Sequence, residues 1–334
     1  MEQFINSASL PVVLLLLAVG FVFLIKGADF FVEGSSSIAK RLKVPSIIIG
    51  LTIVAMGTSL PETAVSVTAS MVNNNELAVS NAIGSNIFNL MFVIGVCAIF
   101  APIMVQRDTI VRDIPLSVIC ALLLLGLGIS GLGGDGGMTL GRMDGGIFIL
   151  LFAGYIVLML RSALKARAEG KQGETEEEEA VEELKTCSMP RSLLYIVLGG
   201  AAIAFGGDLT VDAASRIAID LGMSQTLVGL TIVSIGTSLP ELVTSMVAAR
   251  KNEVDMAVGN AVGSNIFNIL MVLGIASAIN PVSMIRENMI DILVLVGFSL
   301  VVWVFAATKK KISRREGLIM IVMYLAYAVY IINR

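Results

Sequence analysis

The 334-residue sequence contains no histidine, three cysteines and one tryptophan, and Asp, Glu, Lys and Arg together make up only 15% of it. Without imidazole there is no histidine metal ligand, no histidine proton relay and no Ser/His/Asp catalysis. Cys97 and Cys120 fall in apolar runs and Cys187 in a loop, so neither a disulfide framework nor a thiolate metal site is indicated. The Gly-rich stretch Gly131 to Gly141 lacks the Lys-Ser/Thr of a phosphate-cradling loop and reads as an external loop. No cofactor, enzymatic activity or obligate protein partner is expected. The net charge of −3 arises largely from acids gathered in one loop and provides no surface for nucleic acid. The N-terminus lacks the basic region and cleavage site of a secretory signal, so the first apolar segment is expected to be retained.

What the chain has is hydrophobicity, at 56% of residues, with a mean hydropathy of +0.89. Charge-poor apolar runs near the ~20 residues needed to cross a bilayer as helix place about ten spans, near 8–26, 45–72, 77–100, 114–133, 145–161, 192–210, 224–249, 255–279, 290–308 and 315–332. The expected fold class is therefore an all-α polytopic membrane protein. Of 23 Lys and Arg residues, four (Arg142, Arg216, Arg286 and Arg334) lie on the side of the even-numbered loops and the termini. The other 19 lie on the opposite side, where cytoplasmic loops carry the basic excess. Both termini are thus predicted to face outside a cell (inner) membrane.

Residues Gly50–Gly95 and Gly229–Gly274 are the same stretch twice, identical at 26 of 46 positions at an offset of 179. Five spans per copy is an odd number, so the second copy must enter the membrane upside down. The expected organisation is an inverted repeat at 1–161, an acidic cytoplasmic linker at 162–190 and a second repeat at 191–334. The polar tract Glu169–Leu184 reads as a solvated linker, with regulation by cations as the lesser reading. Inverted repeats are a recurring plan of secondary transporters, with the site near the midplane where the halves meet.

GTSLPE and GSNIFN occur unchanged in both copies. Glu62 is the only charge from Val44 to Asn75, and Glu241 the only one from Leu221 to Ala249. A carboxylate at the centre of a span costs about 2.5–3.5 kcal/mol on insertion scales and marks a functional site by default. Pro61 and Pro240 precede these acids and should break their helices, freeing carbonyls in Gly57–Ser59 and Gly236–Ser238. In the next span Asn81, Ser85 and Asn89, repeated as Asn260, Ser264 and Asn268, recur every fourth residue and form one polar stripe. Ser85, Asn89, Ser264 and Asn268 read as ligands facing the broken helix. Gly84, Gly263, Asn86 and Asn265 are equally well read as helix packing. Asp29 and Asp208 read as interfacial anchors, or as part of an ion entrance. The donors are all oxygen, which suits a hard cation such as Ca²⁺, and two carboxylates balance one Ca²⁺ or two Na⁺.

These two motifs, each present twice in inverted halves, resemble the repeats of the calcium/cation antiporter superfamily, specifically its prokaryotic sodium/calcium exchangers, across essentially the whole chain. The resemblance implies electrogenic exchange of several Na⁺ for one Ca²⁺ by alternating access, with spans 1 and 6 sliding against a core of spans 2, 3, 7 and 8. It makes Glu62 and Glu241 the Ca²⁺ carboxylates, joined by the carbonyls of Thr58 and Thr237. Ser59, Ser85, Ser238 and Ser264 would line flanking Na⁺ sites with the carbonyls of Ala55 and Ser234. Some members carry an aspartate where this chain has Asn268, so both central amides here, Asn89 and Asn268, are neutral. Proton-coupled relatives usually place an acid and a histidine near Gly263–Ser264, and their absence here favours Na⁺ as the driving ion. A cation channel, or an antiporter driven also by H⁺ or K⁺, remains the alternative at this level.

Overall fold

Proline opens the two longest helices. In the computed structural model, which describes residues 5, 7–72, 75–130, 138–170, 186–223, 232 and 234–333, α1 (Leu10–Leu42) follows Ser9 with Pro11 in its first turn. A later helix, Met189–Asp220, likewise follows Ser188 with Pro190 in its first turn. A first-turn proline gives up an N–H that has no helical partner anyway. Between these two lie α2 (Ser46–Thr58), α3 (Leu60–Met71), α4 (Leu77–Phe100), α5 (Thr109–Ile129) and α6 (Arg142–Gly170). Met189–Asp220 is α7, followed by α8 (Leu239–Arg250), α9 (Val254–Ile279), α10 (Arg286–Lys309) and α11 (Arg314–Asn333).

Among the described residues eight helices are long and apolar enough to cross a membrane, or nine if α2 and α3, which meet at 49°, form one span. The expected span at 224–249 runs through residues 224–231 and 233, which lie outside the described residues; its second half is α8. Most of the acidic tract, 171–185, also lies outside them, as does most of the Gly-rich stretch. Three helices outrun their expected spans: α1 reaches Leu42, α7 reaches Asp220 and α6 reaches Gly170. Charge ends a hydropathy run without ending a helix. Lys26 and Asp29 pair at 3.8 Å one turn apart on α1, and residues 161–168 of α6 are mostly good helix formers.

α1 and α7 lie antiparallel with their backbones in contact. Gly20, Gly27 and Gly34 face Gly206, Gly199 and Ser192 respectively, and a Cβ added at Gly27 would stand 2.9 Å from the Gly199 carbonyl oxygen. Small residues permit this approach, which dispersion rewards inside a bilayer. At the centre are α4 and α9, the most buried of the spanning helices, at 72% and 78% over their apolar windows. Each widens into a π-helical turn, at Phe88–Val93 and Asn268–Val272, and α2 contains a third at Gly50–Val54. Two short antiparallel ribbons join early to late chain: β1 (Ile103–Met104) with β4 (Lys311–Ile312), and β2 (Thr139–Leu140) with β3 (Val282–Ser283).

Candidate cation-binding site

The proline breaks build the centre. α2 ends at Thr58, Ser59 leaves helical geometry (φ −85°, ψ 14°) and α3 restarts with Pro61 in its first turn. Ser238 (φ −93°, ψ 5°) and Pro240 do the same ahead of α8. With no N–H on Pro61 or Pro240, the carbonyls of Gly57 and Gly236 lose their regular donors. Glu62 and Glu241 consequently occupy the first turns of α3 and α8, where the helix dipole favours a carboxylate. Both are completely buried, and neither faces lipid.

The hydrogen bonds cross between the copies. Ser59 Oγ donates to Glu241 Oε1 at 2.7 Å, and Ser238 Oγ reaches Glu62 Oε1 at 3.1 Å. Ser85 on α4 completes a triangle, 3.0 Å from Ser238 Oγ and 3.5 Å from Glu62 Oε1. The second oxygen of each glutamate has no hydrogen-bond partner, and the same holds for Ser264 Oγ, Asn268 Oδ1 and both amide atoms of Asn89. Buried polar atoms are nearly always partnered. Unpartnered oxygens concentrated around two buried carboxylates form a donor set that a hard cation could satisfy.

Other polar residues brace this centre. Asn81 Nδ2 donates to the Glu62 carbonyl at 3.3 Å and to Ser66 Oγ at 2.9 Å; Asn260 does the same to the Glu241 carbonyl and Ser245 at the same distances. Their amide oxygens accept across the copies, Asn260 from Thr58 Oγ1 at 3.0 Å and Asn81 from Thr237 Oγ1 at 3.4 Å. Ser66 and Ser245 escaped sequence reasoning, although both copies keep a serine four residues after the glutamate. Tyr155 on α6 donates to the Leu51 carbonyl in the π-helical turn at 2.8 Å; no motif signals it.

The Ala55 carbonyl accepts the Ser59 N–H at 3.1 Å and Thr58 Oγ1 at 3.4 Å, and Ser234 begins a short helical turn to Gly236. Asn86 and Asn265 donate to each other's carbonyls at 3.2 and 3.1 Å, and Asn268 Nδ2 donates to Asn86 Oδ1 at 3.1 Å. Gly263 abuts α2, since an added Cβ would lie 2.7 Å from Leu51 Cα. The pair Asn86 and Asn265, with Gly263, therefore takes the packing reading. A cavity of about 610 Å³ descends between α7 and α3 to both proline breaks, with Pro61, Asp208, Asp212, Thr237 and Pro240 in its wall.

Broken helices meeting at a buried polar centre inside an apolar bundle define a polytopic membrane protein built on the plan of secondary transporters. The chain belongs to the sodium/calcium exchanger protein family, whose profile matches residues 12–161 and 191–333. Among its relatives, the putative antiporter CaxA of Alkalimonas amylolytica is 43% identical over 79% of each chain. The sodium/calcium exchanger MaX1 of Methanosarcina acetivorans is 31% identical over 94% of this chain and 97% of its own. The solved structure of the sodium-calcium exchanger NCX_Mj soaked with 2.5 mM Na⁺ and 10 mM Sr²⁺ superposes with a TM-score of 0.79 at 32% identity, covering 95% of this chain and 98% of that one.

Proposed function

We infer that the protein is a secondary active antiporter that exchanges Na⁺ for Ca²⁺ across the membrane. Membership of the exchanger family supports the activity. One observation carries the assignment of the site: two buried glutamates each leave one oxygen without a protein partner, beside an unpartnered Ser264 hydroxyl.

In this reading Glu62 and Glu241 hold Ca²⁺ between them, assisted by the carbonyls of Thr58 and Thr237. Na⁺ occupies flanking positions lined by Ser59, Ser85, Ser238 and Ser264 with the carbonyls of Ala55 and Ser234, and Asn89 and Asn268 are the central neutral donors. One Ca²⁺ or two Na⁺ neutralise the carboxylate pair, so either load permits occlusion, whereas the empty pair resists it because two uncompensated charges would be sealed in low dielectric. The ions are substrates, and no resident cofactor or protein partner takes part. Residues 1–161 and 191–334 act as inverted repeats joined by the cytoplasmic linker. The protein sits in the cell (inner) membrane with both termini outside, and exchange expels Ca²⁺, electrogenically because a further Na⁺ in the flanking positions accompanies the two that neutralise the pair.

The test is ⁴⁵Ca²⁺ flux in proteoliposomes with an imposed gradient of Na⁺, K⁺, H⁺ or none. Uptake is expected only against an opposing Na⁺ gradient. Uptake with no counter-ion gradient would identify a channel, and uptake driven by K⁺ or H⁺ alone would reassign the coupling ion.

A further inference from the structure

The two sides of the bundle are not closed alike. On the side of the acidic linker, α1 packs along α8, and the turn Lys251–Asn252–Glu253 between α8 and α9 is fastened to α1. Lys251 Nζ donates to the backbone carbonyl of Asp29 at 2.8 Å and lies 3.6 and 3.9 Å from the carboxylates of Asp29 and Glu33. Glu253 accepts the hydroxyls of Ser36 and Ser46, the latter at 2.7 Å, and faces Lys40 Nζ at 3.7 Å. Asn252 holds the turn in left-handed conformation, φ 63°. Deeper on this side Phe31 fills the space over Gly57, where an added Cβ would stand 2.7 Å from the ring.

The other repeat lacks, in its turn, the residue types that make these contacts. At the offset of 179, Val72 and Asn74 stand where the turn has Lys251 and Glu253, and Thr210 stands where α1 has Phe31. Ser215, the counterpart of Ser36, has no partner for its hydroxyl. Asp208, the counterpart of Asp29, lines the 610 Å³ cavity between α7 and α3.

We propose that Lys251 and Glu253 form a one-sided latch that holds α1 on α8 and weights the transport cycle toward the state closed on the linker side and open at the cavity. The proposal rests on the alternating-access reading above. Single exposed ion pairs contribute little, but here six groups of α1 and the start of α2 converge on two side chains, and that of Glu253 is only 15% exposed. Opening the linker side must break these contacts together. In the opposite state, α7 closing on α3 gains no equivalent charge, because Val72 and Asn74 have none to offer. The equilibrium between two such states shifts by whatever contacts differ between them.

Thr244 reports the change. It is completely buried with an unpartnered hydroxyl, one turn beyond Glu241, and its counterpart Val65 lines the open cavity. In a Cys187→Ser background, whose remaining Cys97 and Cys120 are each 1% exposed, Thr244→Cys is labelled with a membrane-impermeant maleimide from the linker side. Lys251→Val with Glu253→Asn, the residues of the other repeat, should raise the labelling rate roughly tenfold and weaken apparent Ca²⁺ affinity from the cavity side to match. Labelling within twofold of the parent overturns the latch. If the double variant fails to fold, Val72→Lys places the lysine of the other repeat in the turn facing Asp208 and should raise labelling in the same way; unchanged labelling overturns the proposal there too. Because labelling requires no transport, failure of the Na⁺/Ca²⁺ reading would appear separately, as an absence of coupled flux in the parent protein.

Discussion

Glu62 and Glu241 each bond a serine from the opposite copy and leave a second oxygen bare. Replacing either by Gln removes half the charge that neutralises a divalent ion, and Na⁺-driven ⁴⁵Ca²⁺ uptake in vesicles should fall to background. Normal uptake by either variant would remove the site assignment. The same substitution relieves a buried, uncompensated charge, so melting in detergent without ions should not drop. Adding Ca²⁺ should raise Tm for the parent, by mass action on the folded state, but not for the variants. The bracing amides should behave differently. Asn81→Ala or Asn260→Ala strips donors from a glutamate carbonyl and a serine and leaves buried groups unpaired, which costs about 1–3 kcal/mol. Both variants should show a lower Tm and a raised KM for Ca²⁺, with residual exchange.

At the scale of the element, the broken helix and the glycine seam do opposite jobs. Proline and the turn at Ser59 give the α2–α3 pair a 49° bend that presents Glu62 at a helix start. The seam keeps α1 and α7 together as one unit by direct backbone contact. A side chain at Gly27 would collide with backbone atoms of α7 that cannot move aside, unlike a flexible side chain. Gly27→Leu should therefore destabilise by more than the ~1–3 kcal/mol of ordinary overpacking, read as loss of a monodisperse species or a lower Tm in detergent. Gly154→Ala on α6 is the control, since an added Cβ there meets nothing within 4 Å. It should leave Tm unchanged or raise it slightly, as helix propensity predicts.

At the scale of the molecule, interlocking halves place the centre under one cavity, while on the other side the turn between α8 and α9 is bonded to α1. A cycle that moves more than two Na⁺ per Ca²⁺ carries net charge. With potential clamped by K⁺ and valinomycin, Na⁺-loaded vesicles should take up ⁴⁵Ca²⁺ faster when the interior is positive, because net positive charge leaves. Indifference to potential would mean two-for-one exchange. How much of this whole could be read in one dimension varies from part to part. The duplication, the broken helices and the two acids stand out in the sequence because each is a local pattern or a comparison of the chain with itself. Helix ends did not, since Lys26 and Asp29 interrupt hydropathy while α1 continues past them.

The sequence by itself determined that this protein lives in a membrane, that one stretch of it occurs in both halves, and which two carboxylates follow the prolines of the broken helices. Those conclusions rest on the cost of placing charge in hydrocarbon and on repetition too long to be chance. Only the tertiary structure decided that Ser59 serves Glu241 and Ser238 serves Glu62, that Asn81 and Asn260 brace while Asn89 is left unpartnered, and that Tyr155 holds the Leu51 carbonyl. Such pairings join residues far apart in the chain through the packing of one copy against the other. Equivalent residues of the two copies also occupy different environments: Thr244 is completely buried while its counterpart Val65 lines the cavity, a difference only the packed structure shows.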